Sequence, residues 1–151
     1  MNSGPPSRID GVETHAAVPE ACGCRVLELP KIADPRGSLT VVEGGKHIPF
    51  DIGRVYWVYD IPGGATRIGR AHRRQDEVVI ALSGSFDVVV DDGVSTAVFS
   101  LNRSYVGLYL PAGTWRHFEG FSTNTVCLVL GSRPFSEADV IWDYRQFLSE
   151  R

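Results

Sequence analysis

The sequence has few cysteines and no secretory signal, and both absences limit where the chain can work. It contains 3 cysteines in 151 residues. An odd number, in a chain whose N-terminus lacks a basic n-region and an apolar h-region, disfavours secretion and a disulfide framework. Cys22 and Cys24 lie one residue apart, but no second Cys or His pair follows at zinc spacing. We therefore expect a reducing, cytoplasmic environment and no metal or redox site at this pair.

An overall basic excess and a long apolar run are also missing. The net charge is −3, from 15 Lys and Arg against 18 Asp and Glu, so nucleic acid is not expected as a partner. No apolar run approaches the ~20 residues that span a bilayer, so no membrane partner is expected either. With 43% hydrophobic residues, a chain of this length is expected to fold as one domain without a structural metal.

Apolar runs of strand length begin after the first 23 residues. Residues 1–23 are rich in Gly, Pro and Ser, which predicts a flexible leader before a single domain at 24–151. The runs lie at 26–29, 39–42, 55–59, 78–82, 86–90, 97–101, 106–110 and 126–130. Because turn signals separate them, they predict an antiparallel β-barrel or sandwich, with a hairpin turn at Asp91-Asp92-Gly93.

Only the tail of the chain predicts a helix. Ser136 is a candidate N-cap, and Glu137 and Asp139 place negative charge in the first turn. Apolar residues recur at helical spacing at positions 140, 141, 144, 147 and 148. We expect this short C-terminal helix to pack on the outside of the barrel.

Two segments have the spacing of the cupin motifs. In the first, Gly64 and Gly84 enclose two ligand positions and an acid, which are Arg70, His72 and Glu77; in the second, Pro111 and Gly113 precede Arg116. Metal cupins place three histidines and one carboxylate at these four positions, whereas an arginine has no lone pair for a metal and carries a fixed positive charge. The two arginines therefore predict that the site holds no metal.

Arginine is concentrated around the first motif, where Arg67, Arg70, Arg73 and Arg74 fall within eight residues. Arg73 and Arg74 are equally consistent with solvated surface charges. Arg70 and Arg116 occupy positions expected to face the barrel interior, where an unpaired charge is costly. Their partner is then either a phosphate- or carboxylate-bearing ligand or, internally, Glu77.

Several aromatic and histidine side chains have two open interpretations. Tyr56 and Trp57 alternate along a strand, so one of them faces the interior and the other does not. Trp115 could stack on a base or sugar, or could close the end of the barrel. His117 has the opposite strand parity to Arg116 and is expected to point away from the interior.

Taken together, these residues resemble one family of cupin enzymes, the nucleotide-linked 4-keto-6-deoxyhexose 3,4-ketoisomerases. The resemblance covers roughly residues 25–148. It rests on residues 34–39, 48–50, 54–56, 67–73, 91–93, 107–109, Trp115 and 128–132. It implies an RmlC-like cupin barrel that acts on dTDP-4-keto-6-deoxyglucose in deoxysugar biosynthesis without metal or cofactor. It further implies a homodimer with an exchanged N-terminal strand.

The resemblance also implies roles for individual residues. The family stretch Arg-Gly-x-His-Ala-His-Lys matches residues 67–73, with Arg67 and His72 retained, arginine at position 73 and Arg70 in place of the first histidine. The Trp-His pair of the second motif is Trp115-Arg116 here, and the active-site tyrosine matches Tyr56. On this basis Arg36, Arg54, Arg67 and Arg73 are available to the diphosphate and nucleoside, and Trp115 and Arg116 are further substrate contacts.

Moving a ketone from C4 to C3 through an enediolate requires a base, an acid and a positive group. We expect His72 to transfer the proton with Tyr56 as its partner, and Arg70 to supply only positive charge. Two alternatives remain at this stage. One is an epimerase on the same substrate class. The other is a non-catalytic cupin that binds a sugar nucleotide, since Arg70 and Arg116 replace histidines.

Overall fold

The computed structural model describes residues 7–10 and 20–151. Their strands in chain order are β1 Ser7–Asp10, β2 Glu20–Ala21, β3 Cys24–Glu28, β4 Lys31–Asp34, β5 Gly37–Thr40, β6 Arg54–Val58, β7 Arg67–His72, β8 Glu77–Ser83, β9 Phe86–Asp91, β10 Thr96–Leu101, β11 Val106–Leu110, β12 Trp115–Glu119, β13 Val126–Gly131 and β14 Val140–Ile141. A 3-10 turn, Glu137–Asp139, precedes β14, and one helix, α1 Tyr144–Ser149, follows it.

Two six-stranded sheets enclose the core. Sheet A has the order β1-β10-β9-β12-β7-β14, sheet B has the order β2-β3-β11-β8-β13-β6, and β4 and β5 form a separate hairpin. All pairs are antiparallel except β1 with β10. Apolar side chains from the inner faces of both sheets, such as Val88, Phe99 and Val129, are fully buried between them. The predicted cupin-type, RmlC-like antiparallel barrel with a short C-terminal helix is confirmed.

Each predicted apolar run overlaps an observed strand, and the Asp-Asp-Gly turn joins β9 to β10 as expected. Strands β7 and β12 have no such run because their inward positions hold arginine and histidine. Only the motif spacing indicated them. These two strands pair with each other in sheet A, and they carry most of the candidate site.

The predicted start of the C-terminal helix is wrong. Ser136 makes no capping bond, and residues 140 and 141 form β14, which pairs with β7. The helix begins at Tyr144, where the Asp143 carboxylate accepts hydrogen bonds from the backbone N–H groups of Arg145 and Gln146. The cause is tertiary: Asp139 accepts from the N–H groups of Arg74 and Gln75, which holds this segment extended along the free edge of β7.

The three cysteines are free. Burial raises the pKa of Cys24 and of Cys127 to about 12, so these thiols stay protonated at neutral pH. The predicted leader at 1–23 lies largely outside the described residues, which include β1 and β2 from that segment. No helix among the described residues has the length and apolar character needed to cross a membrane.

Candidate active site

A cavity of about 400 Å³ opens between β6, β7 and β12. Three arginines and five apolar or aromatic groups dominate its wall. The lining residues are Tyr56, Val58, Thr66, Arg67, Ile68, Arg70, Arg116, Phe118 and Trp142. The predicted site residues that the fold brings together at this surface are therefore Tyr56, Arg67, Arg70 and Arg116.

A β-bulge in β7 explains how neighbouring residues share one cavity. Arg70 lies opposite Arg116, whereas Arg67 lies opposite Phe118, so β7 carries one more residue than β12 between the two pairs. Such a bulge breaks the strict alternation of side chains. Arg67, Ile68 and Arg70 consequently all reach the cavity, although an unbroken strand would direct them to two different faces.

Arg70 lies on the cavity floor between two aromatic side chains. Its Nη2 donates a hydrogen bond of 2.6 Å to the Tyr56 hydroxyl, and its Cζ lies 5.6 Å from the centre of the Trp142 ring. Its buried Nε has no hydrogen-bond partner among the described residues. Burial and the neighbouring Arg116 guanidinium lower the pKa of Arg70, but an arginine remains protonated at neutral pH. The Arg70 guanidinium therefore lines the cavity with its positive charge and keeps one buried donor without a partner among the described residues.

Arg116 is neutralised within the chain. Its Nη2 donates to Glu77 Oε1 at 2.5 Å, and the two side chains are 4% and 2% exposed. Gln75 donates a second hydrogen bond to the same carboxylate. Burial alone would raise the pKa of Glu77, but the positive charge of Arg116 outweighs it and holds the pKa below its ordinary value. The internal pairing left open from the sequence is therefore realised between Glu77 and Arg116.

Arg67 and Arg70 are not compensated in this way. Within residues 21–151, whose side chains the structure describes, no carboxylate forms an ion pair with either of them. The cavity thus carries two positive charges beyond the Glu77–Arg116 pair. Such a surface favours an anionic ligand, and guanidinium groups match the geometry of phosphate.

His72 lies behind the cavity wall. It is on the same face of β7 as Arg70, but its side chain is only 6% exposed and does not line the cavity. Its Nε2 lies 3.5 Å from Glu77 Oε2 without hydrogen-bond geometry, and its Nδ1 lies 3.4 Å from Asp139 Oδ2. Burial lowers the pKa of His72. The negative charge of Glu77 raises it in part, and the positive charges of Arg116 and Arg70 lower it further, so the net shift is downward. The imidazole is therefore neutral at pH 7.

Three predicted contacts lie away from this cavity. Arg36 is at the tip of the β4–β5 hairpin, exposed and paired with Asp34. Arg73 binds Glu150 and the carbonyl oxygen of Ala138 on the outer surface. Arg73 lies three residues after Arg70, so strand alternation directs its side chain to the opposite face, where it pairs with Glu150 at the end of α1.

Trp115 also lies away from this cavity, because its ring packs against α1 and covers Gly69. Its ring centre lies 5.3 Å from that of Tyr144 and 5.8 Å from that of Phe147. It therefore stabilises the packing of the helix instead of lining the cavity. Arg54 lies beside the cavity, with its Cζ 4.6 Å from the centre of the Tyr56 ring.

The alternation of side chains on β6 and β12 is as expected. Tyr56 faces the interior whereas Trp57 is 57% exposed, and His117 points away from Arg116 and bonds to Glu119. Sequence reasoning missed Trp142 because the predicted helix included this segment. It also missed Val58, Thr66, Ile68 and Phe118, none of which is at a ligand or glycine position of the two motifs.

A metal site is not assembled from the described residues, which contain no group of three or more His, Cys, Asp or Glu side chains able to hold an ion. Of the four motif positions, Arg70 and Arg116 have no lone pair to offer, and the Glu77 carboxylate is engaged by Arg116. The donors that remain do not fit a cupin metal centre.

The relatives found by comparison with known proteins are named as sugar 3,4-ketoisomerases or 3,4-oxoisomerases. The chain is 38% identical over 123 residues to the TDP-4-oxo-6-deoxy-alpha-D-glucose-3,4-oxoisomerase of Aneurinibacillus thermoaerophilus, which covers 82% of this chain and 88% of that protein. The TDP-quinovose 3,4-ketoisomerase WlaRB of Campylobacter jejuni is similar in structure, with a TM-score of 0.80, 38% identity and coverage of 83% and 97% of the two chains.

A further similar structure is QdtA, a sugar 3,4-ketoisomerase from Thermoanaerobacterium thermosaccharolyticum solved in complex with TDP. It has a TM-score of 0.82 and 34% identity and covers 84% of this chain and 93% of its own. The family model described as FdtA: WxcM-like, C-terminal matches residues 22–151. Because this match includes the barrel, the arginine-lined cavity and the C-terminal helix, the chain belongs to the FdtA family.

Proposed function

We propose that this protein is an isomerase that moves the keto group between C4 and C3 of a dTDP-linked 4-keto-6-deoxyhexose, in the biosynthesis of unusual deoxysugars. The observation that carries the proposal is the cavity itself, which is lined by Arg67 and Arg70, neither of them paired with a carboxylate among residues 21–151, and in which Arg70 donates to the Tyr56 hydroxyl. Relatives named as TDP-sugar 3,4-ketoisomerases, at 34–38% identity, support the same substrate class.

The diphosphate is assigned to the arginines at the cavity mouth. Arg67 lines the opening and Arg54 lies beside Tyr56, so both can approach an anionic group that enters there. A guanidinium donates two parallel hydrogen bonds to phosphate oxygens, which gives orientation as well as affinity. Arg36 and Arg73 receive no role in this cavity.

The reaction begins with removal of the C3 proton. The electron pair of the C3–H bond forms the C3–C4 double bond, and the C4 carbonyl electrons move onto oxygen to give an enediolate. Delivery of a proton to carbon C4, together with transfer of the C3 hydroxyl proton to the C4 oxygen, then leaves a ketone at C3 and a hydroxyl group at C4. The site must therefore supply a base, an acid and stabilisation of the negative oxygen.

Three side chains are available for these needs. His72 is neutral and its Nε2 has no hydrogen-bond partner, so it can accept the C3 proton. Tyr56 accepts a hydrogen bond from Arg70, which leaves its own proton free for donation into the cavity. The Arg70 guanidinium, which lines the cavity, is assigned to the enediolate oxygen. Because His72 is buried, its contact with C3 requires a side-chain movement at the cavity floor, where Arg70 and Arg116 are its charged neighbours.

Incubation with dTDP-4-keto-6-deoxyglucose in deuterated water, followed by NMR, tests the proposal. We expect a 3-keto product that carries deuterium at C4. Inversion at a carbon beside the ketone without a 3-keto product would instead identify an epimerase. Tight binding with neither exchange nor isomerisation would identify a non-catalytic sugar-nucleotide cupin, the alternative that Arg70 and Arg116 keep open.

The reaction as proposed uses neither a metal nor a cofactor. Support comes from Arg70 and Arg116 at two of the four motif positions, which replace metal ligands with positive charge. A cytoplasmic location fits the three free cysteines.

The functional assembly is proposed to be a homodimer with an exchanged N-terminal strand. Support comes from an apolar surface on the outer face of the edge strand β6, formed by Val55 and Trp57 and continued by Tyr59 and Leu82. An exposed apolar patch on an unpaired edge strand is typical of an interface. The edge position of β1, parallel to β10, is compatible with a strand that a second copy could supply.

A further inference from the structure

Trp142 lies on the cavity wall in a segment outside both cupin motifs. Its ring is 50% exposed, whereas the preceding Val140 and Ile141 are buried. Its indole Nε1 donates a hydrogen bond of 3.1 Å to Glu137 Oε1. Because this bond holds the polar edge of the indole, the ring is fixed in one orientation with part of its apolar surface on the cavity.

The strand register places this ring beside the proposed reaction centre. Ile141 lies opposite Ala71, so the next residue, Trp142, falls at the level of Arg70. The Arg70 guanidinium is 5.6 Å from the ring centre and contacts Tyr56 on its other side. A ligand group that contacts Trp142 is therefore also close to the groups assigned to the enediolate.

The backbone that carries Trp142 is firmly attached to β7. Arg73 donates through its backbone N–H to the carbonyl oxygen of Asp139 at 2.8 Å and through its side chain to that of Ala138 at 2.6 Å. The Asp139 carboxylate in turn accepts from the N–H of Arg74 at 2.7 Å. Arg73, which the sequence suggested as a phosphate ligand, thus holds the wall in place, and the ring is positioned before a ligand arrives.

We propose that Trp142 is a specificity-determining residue that packs its ring against the C–H face of the hexose. This inference rests on the proposed function, and it assigns the sugar, not the nucleoside, to the Trp142 side of the cavity. The negative face of an aromatic ring attracts polarised C–H groups, and a 6-deoxy sugar adds an apolar methyl group. The Arg67 end of the cavity is left for the diphosphate.

The test compares two ligands on the full-length protein by calorimetry, dTDP and the unreactive sugar nucleotide dTDP-glucose. In Trp142→Ala we expect dTDP-glucose to bind roughly tenfold more weakly, because a ring contact of this type is lost. The affinity for dTDP should stay within about twofold, since its phosphates contact Arg67 and Arg54. Trp142→Phe should retain most of the dTDP-glucose affinity, and Glu137→Gln should show an intermediate loss because the ring is less well oriented.

Turnover of dTDP-4-keto-6-deoxyglucose supplies the second readout. Trp142→Ala should raise KM and lower kcat, with a circular dichroism spectrum like that of the wild type. An equal loss of dTDP and dTDP-glucose affinity would overturn the proposal in favour of a nucleoside contact, and unchanged affinities would also overturn it. If the wild type binds dTDP-glucose but does not turn over dTDP-4-keto-6-deoxyglucose, the proposed reaction is wrong. The binding comparison still decides the role of Trp142.

Discussion

Glu77 is the residue that allows a guanidinium to lie in the interior of the barrel. Its carboxylate accepts from Arg116 and from Gln75, and both charged groups are almost fully buried. A buried ion pair contributes little net stability compared with an apolar pair, but removal of one partner leaves the other charge unpaired. The pair therefore fixes Arg116 on the cavity floor and makes Glu77 sensitive to substitution.

Glu77→Gln should reduce the free energy of unfolding by about 3–5 kcal/mol, because Arg116 then remains charged, buried and without its carboxylate. Urea denaturation at pH 7 measures the change. Asp34→Asn removes an exposed carboxylate that pairs with Arg36, and we expect it to leave the midpoint nearly unchanged. Equal midpoints for Glu77→Gln and the wild type would show that the buried pair does not stabilise the fold.

The same pair gives a pH dependence with a definite sign. The folded-state pKa of Glu77 is below its ordinary value of 4.5, so its stabilisation is fully present above pH 4.5 and decreases as the pH falls below that value. Measured in a His72→Asn background, so that the neighbouring imidazole does not titrate, the difference in unfolding free energy between the Glu77 form and Glu77→Gln should be constant from pH 5 to 7 and shrink in more acidic buffer. A difference that grows on acidification would contradict this linkage.

His72 and Tyr56 can be separated by kinetics. We expect His72→Asn and Tyr56→Phe each to lower kcat by roughly 10²-fold or more, as for the loss of a general acid or base. The affinity for dTDP should not change. Since the pKa of His72 is lowered from 6.5, the wild-type activity should decline on the acid side only below pH 6.5, and this decline should be absent from the residual activity of His72→Asn. Full turnover by His72→Asn would assign proton transfer to Tyr56 alone.

At the scale of single elements, strand β7 combines the bulge, the ligand-facing arginines and the contact with α1. Its middle residue, Gly69, lies directly beneath the Trp115 indole. A Cβ atom at this position would lie 2.7 Å from Trp115 Nε1, which is closer than packed atoms can approach. Gly69 is therefore required so that the helix can pack on β7 through Trp115.

Gly69→Ala should destabilise the fold by about 1–3 kcal/mol, since the Trp115 ring must move away from the helix. Gly63→Ala is the matched control, because its added Cβ would meet only the Thr123 methyl group at 3.4 Å. Thermal unfolding of both variants and of the double variant Gly69→Ala/Trp115→Ala tests the cause. Additive losses in the double variant would show that the glycine and the indole are not coupled.

The sequence was informative wherever side-chain patterns are local. Strands such as β8 and β9 follow from runs of β-branched residues, and the Asp-Asp-Gly turn follows from backbone preferences. The motif spacing was enough to place Arg70, His72 and Glu77 on inward faces. The strand at residues 140 and 141 depends on tertiary contacts of Asp139 with the end of β7, so neither the position of Trp142 nor that of Arg73 could be read from periodicity.

At the scale of the whole molecule, the outer face of sheet B is unevenly covered. Residues 41–52 fold over one part of it and bury Ile48 against Val78 and Ile80. The part beside β6 remains exposed, with Val55, Trp57 and Tyr59 on its surface. Because this apolar area continues directly from the covered cluster through Leu128, it is the surface on which we place the second copy in the proposed homodimer.

Trp57→Glu should convert the proposed dimer into a monomer at micromolar concentration, because it introduces a charge into the centre of the apolar surface. Light scattering coupled to gel filtration measures the mass. Val94→Glu is the matched control, since Val94 is equally exposed but lies at the β9–β10 turn of sheet A, and we expect it to leave the mass unchanged. A monomeric wild type would contradict the homodimer itself. A Trp57→Glu variant that keeps the wild-type dimeric mass would place the interface elsewhere, with the β1 edge of sheet A as the next surface to test.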